Sequence, residues 1–359
     1  MSEFIQLHLL VSYPPSNLNR DDLGRPKTAV MGGKERLRVS SQSLKRAWRQ
    51  SDVFKESLSG YIGVRTRRMG SNIEEALASG SSLKSVLDGN PDGTHSQVPE
   101  KKAKEAAIAI ASKFGKCEKD SPVHKQMVHF SQEEIEAIDS LLAKIAESGN
   151  APDDSDLDLL RKSHKTADIG MFGRMLADTP VYNCDAAVQV SHAITVHDVT
   201  VEDDYFTAVD DLNTGADTGS GHIGESEFAA GLFYTYVCIN RDLLVENLSG
   251  DEELANKAIK ALVEASAKVS PGGKQNSFAS RAYASYILAE KGTQQPRSLA
   301  VSFLKPVKDV DMLGGSVREL EAVRGNMEKV YGKCADDCIS TNVQDGTGSL
   351  DEILAFVSR

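Results

Sequence analysis

From Glu3 to Ser12 apolar and polar positions alternate, with Ile5, Leu7, Leu9 and Val11 on one side, and this predicts a strand that turns Gln6 and His8 outward. A turn-rich loop with Pro14, Pro15, Asn17, Asn19, Asp21 and Asp22 follows. Gly32 and Gly33 then free the backbone to turn, a short basic run extends, and Leu44, Ala47 and Trp48 recur at spacings of three and four. That spacing predicts a helix capped by Ser40 or Ser41. Beyond Gly60 the pattern becomes helical near 72–88, 100–115, 131–148 and 155–163, broken at residues 89–93 and 149–152 by Gly, Asn and Pro. Strand character returns at 186–199. The acidic, glycine-rich stretch after it reads as a projecting hairpin. A strand at 228–240, a helix at 251–269, strands near 277–289 and 298–305 and a helix near 315–331 complete the chain.

The fold class is therefore α+β, and the order of elements resembles an RRM-like (ferredoxin-like) sheet interrupted by two insertions. RRM sheets display stacking aromatics, whereas the first strand here would present Gln6 and His8, so a bound RNA need not lie on the sheet. At 359 residues, 40% apolar and 26% charged, the chain has room for two domains, or for one with a large insertion. No apolar run approaches membrane-spanning length, and Met1-Ser2-Glu3 does not open a signal peptide. Five scattered cysteines suit a reducing cytoplasm.

Charge changes the picture most. Between Lys34 and Arg49 stand Lys34, Arg36, Arg38, Lys45, Arg46 and Arg49 against Glu35, a local +5 in a chain of net −11. Lys45 and Arg49 are one helical turn apart. Free N–H groups at the helix start, capping hydroxyls and these cations would together suit phosphate oxygens. Arg20 and Lys27 add to the cluster, and Lys274 and Gln275 sit in a glycine-flanked loop much later. Phosphate contacts of this kind carry affinity without sequence information. No metal or catalytic constellation emerges. Cys334 and Cys338 have no second pair, and His192 and His197 would face opposite sides of a strand. Asp21-Asp22 and Asp210-Asp211 are candidate bases or magnesium ligands, but such loop pairs more often form turns.

Several ordered blocks resemble the CasC family, the repeated backbone subunit of the type I-E CRISPR surveillance complex Cascade. They are Ser16-Asn17-Leu18-Asn19-Arg20-Asp21-Asp22, Gly32-Gly33-Lys34, Val39 to Ala47, Gly173-Arg174-Met175, Ser191-His192-Ala193-Ile194-Thr195 running to Leu212, and Pro271-Gly272-Gly273-Lys274-Gln275. The resemblance implies a palm carrying the basic helix in residues 1–59, helical fingers at 60–180, a palm strand at 181–198, a β-hairpin thumb at 199–228 and the remaining palm at 229–359. It implies guide-backbone contacts at Arg20, Ser40, Gln42, Lys45 and Arg49, and an apolar wedge between guide bases at Met175 and Phe206, with Arg174 at the approach. The implied partners are CRISPR RNA, target DNA through the guide, further copies head to tail, the subunits CasA, CasB, CasD and CasE, and a recruited helicase-nuclease. No enzyme activity, cofactor or metal is expected. The alternative on the same fold is a metal-dependent ribonuclease using Asp22 or Asp211.

Overall fold

The computed structural model describes residues 2–208 and 222–359. Its strands are β1 (Phe4–Ser16), β2 (Thr28–Met31), β3 (Lys34–Val39), β4 (Val64–Thr66), β5 (Val128–Phe130), β6 (Val188–Val190), β7 (Ala193–Thr195), β8 (Glu202–Ala208), β9 (His222–Asn240), β10 (Ala284–Gly292) and β11 (Asp337–Asn342). Its helices are α1 (Ser41–Gln50), α2 (Asp52–Ser57), α3 (Met69–Ser79), α4 (Leu83–Leu87), α5 (Glu100–Ala111), α6 (Gln132–Ser148), α7 (Ala167–Phe172), α8 (Arg241–Asn247), α9 (Glu252–Lys268), α10 (Gln275–Phe278), α11 (Met312–Tyr331) and α12 (Leu350–Val357). The chain divides into two compact units, Met1–Ser57 with Val188–Arg241 and Asn256–Arg359, and Leu58–Ala187 with Asp242–Ala255.

The first unit is built on an antiparallel sheet of order β11-β10-β1-β9-β7-β3-β2, with β6 and β8 also on β9. Long β1 lies between β9 and β10, pairing Leu7 with Val237 on one side and with Ala289 on the other. Two turning glycines do what the sequence asks of them. Met31 pairs with Lys34, so Gly32-Gly33 form a two-residue hairpin loop with φ of +61° and +72°. Gly32 also allows close packing, because a Cβ there would lie 1.7 Å from the Leu304 carbonyl oxygen.

The sheet has no exposed central face. Ile5, Leu7 and Leu9 are buried as the alternation requires, but Gln6 and His8 are buried as well. The reason is a second layer. Residues near 298–305, expected as a strand, instead form a 3-10 turn at Ala300–Phe303, whose Phe303 packs with Leu10, Tyr234, Leu288 and Leu320 of α11. Beneath that layer a polar network satisfies the buried groups. His8 Nδ1 accepts from the Tyr234 hydroxyl at 2.9 Å, and its Nε2 donates to Glu290 at 3.1 Å. Arg297 and Arg324 Nε also bind Glu290, Arg324 at 2.7 Å. Gln6 Oε1 accepts from the Tyr236 hydroxyl at 2.8 Å and from Arg297 N at 2.9 Å. Burial holds His8 below its ordinary pKa despite Glu290. Burial works against the Glu290 carboxylate, but hydrogen bonds from His8 and Arg297 outweigh it and keep Glu290 well below the carboxylate range.

The second unit is mainly helical around a buried set that includes Ile73, Ile110, Phe130, Ile138 and Leu142. Ser131 caps α6 in a full capping box with Glu134. The helix expected at 155–163 is absent. Asp153 Oδ1 instead accepts from the backbone of Ser155 and Asp156, both at 2.9 Å, which closes a turn there.

Candidate nucleic-acid interface

Helix α1 sits where the pattern placed it, with Leu44 and Trp48 buried beside Leu9, Val11 and Val39. Ser40 is its N-cap and accepts from Ser43 N at 3.3 Å. The helix start does not present bare donors, however. Ser40 N donates to Asn19 Oδ1 at 2.9 Å and Ser41 N to His192 Nδ1 at 3.1 Å, so local acceptors already use groups expected to meet phosphate. His192 also lies 3.4 Å from Arg38, and burial, then Arg38 and Lys27, lower its pKa. A neutral imidazole protonated on Nε2 fits these contacts.

The basic cluster is redistributed. Arg36 is fully buried and donates to the carbonyls of Thr195 and Phe303, each at 3.0 Å, so it clamps the edge of the sheet and is withdrawn from the cluster. Lys34 is exposed at the hairpin, Arg38 and Lys27 are half-buried, and Gln42 is exposed on the first turn of α1. Lys45 and Arg49 are half-buried on one helix face. The adjacent face, Ser43, Arg46, Ala47 and Gln50, lines an open polar cleft of about 800 Å³ together with Asn19, Arg20, Asp22, Gly272 and Gly273.

Each wall of this cleft has a structural cause. Asp21 Oδ1 accepts from Leu23 N and Arg25 N, both at 2.9 Å, so it shapes the turn that carries exposed Arg20. Arg20 has no ion pair with Asp21 or Asp22. Gly273 lies against the neighbouring chain so closely that a Cβ would stand 2.1 Å from the Leu18 carbonyl oxygen. Lys274 follows at φ +45° and Ala279 at φ +49°, two left-handed residues without glycine's freedom, which bracket the single turn of α10. The Gln275 amide, with its oxygen turned inward, accepts from Ser280 N and Arg281 N at 3.0 and 3.1 Å, so it braces the loop and does not face a ligand.

Phe206 lies on β8 opposite Gly224, 45% exposed, with its ring across the glycine. In the second unit, Arg174 departs from the expected ligand contact. Its guanidinium is buried and binds Glu134 at 2.6 Å and the carbonyls of His129, Arg161 and Tyr182 at 3.1–3.3 Å. Its neighbour Met175 is 80% exposed. Asp210 and Asp211 lie outside the described residues. Among those that are described, no three His, Cys, Asp or Glu side chains converge to hold a metal, and no helix is long and apolar enough to cross a membrane.

Asn19, His192, Ser43 and Gly273 fall in the blocks that carry the resemblance but are not expected there as site residues, and Gln50 carries no signal in the sequence. His192 meets Ser41 because β3 and β7 are neighbours, and no local pattern encodes that.

A search of curated proteins finds no match. Among solved structures, the chain is similar to one from a CRISPR RNA-guided surveillance complex described as pre-nicking. The two share 31% identity and a TM-score of 0.80 over 99% of this chain and 100% of that one. A chain of another CRISPR RNA-guided surveillance complex is 27% identical with a TM-score of 0.59, over 99% and 98%. The family of CT1975-like proteins matches residues 5–355, and with nearly the whole length covered the chain belongs to that family.

Proposed function

We propose that this protein is an RNA-binding backbone subunit of a type I-E Cascade complex, holding CRISPR RNA by its phosphates and leaving bases free to pair with target DNA. The observation that carries this reading is the open cleft lined by Arg20 and Arg46 together with Gly272 and Gly273, beside the left-handed Lys274. Such a cleft grips backbone and is indifferent to sequence, as any guide-carrying subunit must be. Likeness to chains of CRISPR RNA-guided surveillance complexes supports the same assignment. In this reading the first unit is an RRM-like palm and the second its fingers, and β8 with the start of β9 forms the thumb that carries Phe206. Copies stack head to tail along the guide, and such heterologous contacts give open filaments. The large, small and terminal Cascade subunits complete the particle in the cytoplasm, and a recruited helicase-nuclease cuts the target. The subunit itself has no catalytic role.

The test is single-stranded RNA binding by the purified protein as a function of salt. Arg20→Ala with Arg46→Ala should weaken binding whatever the RNA sequence, and each lost phosphate contact should flatten the log–log salt slope by about 0.7. Lys45→Ala with Arg49→Ala measures the neighbouring face. Unchanged affinity and slope in both double variants would overturn the assignment.

A further inference from the structure

Arg20 stands on a small hairpin that the chain closes on itself. Lys27 N donates to Asn19 O at 2.8 Å, Arg20 forms an antiparallel bridge with Pro26, and Asp21 N donates to Arg25 O at 2.9 Å. Asp21 Oδ1 also holds Leu23 N and Arg25 N, so residues 19–27 have little internal freedom. The hairpin therefore shifts as one piece and carries Arg20 with it. The position of that guanidinium in the cleft depends on how the piece is moored to the sheet.

Two asparagines moor it, to different elements. Asn19 Oδ1 accepts from Ser40 N at 2.9 Å, which joins one end to the N-cap of α1. Asn17 is fully buried, and its Nδ2 donates to Gly24 O near the hairpin tip and to Glu227 O on β9, both at 2.9 Å. Only an amide serves here, because serine has one hydrogen to give and an aspartate would turn a carboxylate toward two carbonyls. Arg25 repeats the tie to β9 on the outside, with its Nε 2.9 Å from Glu227 Oε1 and side-chain exposures of 60% and 21%. Glu227 pairs with Asp203 in the β8–β9 ladder, so the strand that holds the hairpin also carries β8 and Phe206.

The charges fit a mooring better than a ligand contact. The Glu227 carboxylate meets a hairpin whose Arg20, Asp22 and Gly24 line the cleft, and an acid there repels phosphate. Arg25, already engaged by that acid, offers phosphate a reduced charge. We infer that Asn17, Arg25 and Glu227 are positioning residues for RNA, which touch no phosphate and act through Arg20 by holding its hairpin against β9. The inference rests on the phosphate-cleft reading above and adds to it the residues that set the cleft's geometry.

The experiment measures single-stranded RNA binding by the full-length protein against salt, for Glu227→Ala, Asn17→Ala and Arg20→Ala, and for each of the first two combined with the third. Glu227→Ala carries the discriminating sign. Removing an acid that acts only through its field tightens binding of a polyanion. Loss of the mooring should instead weaken it by about twofold to fivefold, the range of an exposed ion pair. Asn17→Ala should flatten the log–log salt slope by up to the roughly 0.7 of one phosphate contact. In the Arg20→Ala background neither change should weaken binding further, since both act through that guanidinium. A merely structural Asn17 would lower the melting temperature and leave the slope of the folded protein unchanged. Unchanged or tighter binding by Glu227→Ala, or losses that add in full to that of Arg20→Ala, would overturn the inference and leave the cleft standing. If Arg20→Ala changes neither affinity nor slope, the inference falls as well, and the Lys45 and Arg49 variant decides the wider reading.

Discussion

Replacing Arg174 with Met separates two roles with opposite signatures. A guide contact would lose affinity and salt slope at little cost to the fold. The structure instead buries the Arg174 and Glu134 side chains to 2% and 0% exposure. Glu134 keeps the N–H groups of Ser131 and Arg161 at 2.9 and 3.0 Å, but without the guanidinium its charge is buried and unpaired and three carbonyls lose a donor. Breaking such a pair from one side costs about 3–5 kcal/mol. At about 2–4 °C per kcal/mol for a unit of this size, unfolding of the second unit should fall by ~6–20 °C. Calorimetry or circular dichroism reads the shift, and RNA titration at several salt concentrations reads the slope, which should not change. Glu134→Gln combined with Arg174→Met removes both charges and should cost less than Arg174→Met alone. A melting temperature within a degree or two of the original, together with a flattened salt slope, would refute this and restore Arg174 as a ligand contact.

Phe206→Ala should change stability by less than about 1 kcal/mol, because the ring is 45% exposed, whereas a core Phe costs ~3–5. Chemical denaturation decides between them. Gly32→Ala should destabilise by several kcal/mol, since it meets the Leu304 carbonyl, while Gly33→Ala, open to solvent, should cost only the ~1–2 of a left-handed backbone. Acid should weaken the first unit. His8 titrates lower in the fold than its unfolded value of about 6.5, so its contribution is complete above that pH and is lost as pH falls from there through its depressed folded value. Glu290, also depressed, adds a second loss below about pH 4.3. Denaturation midpoints between pH 8 and 3 should therefore decline steadily, and a rise on acidification would contradict the network. His8→Gln should remove the upper part of that decline.

Local periodicity made the individual elements legible. The burial of Leu44 and Trp48, the Ser40 cap, the Gly32-Gly33 turn and helices α6, α9 and α11 all follow from spacing and capping chemistry. What failed was long-range coverage. Alternation in β1 marks one apolar face but cannot tell that Gln6 and His8 face a second layer, because the partners that satisfy them, Glu290, Arg297 and Tyr236, are more than two hundred residues away. Charge counting failed for the same reason. Arg36 reads as a surface cation until the carbonyls that hold it are in place, and Arg174, expected near the guide only through the resemblance, is held by carbonyls in the same way. The cleft was half legible, since the basic residues were visible but the helix face they share with Gly273 was not.

The position of β1 bears on how the chain can be made. Its partners are β9 and β10, so Val11 waits for Phe233 and Ala284 to be synthesised. At translation rates of about 5–20 residues per second, this apolar ribbon stays on the ribosome for ~10–45 s with both edges bare. During that interval it is open to pairing with another nascent chain. A messenger truncated before β9 would release a product with no means of covering its first strand. Soluble yield should therefore depend on how fast residues 12–221 are translated and on chaperones shielding the N-terminus, more than on the stability of the finished sheet.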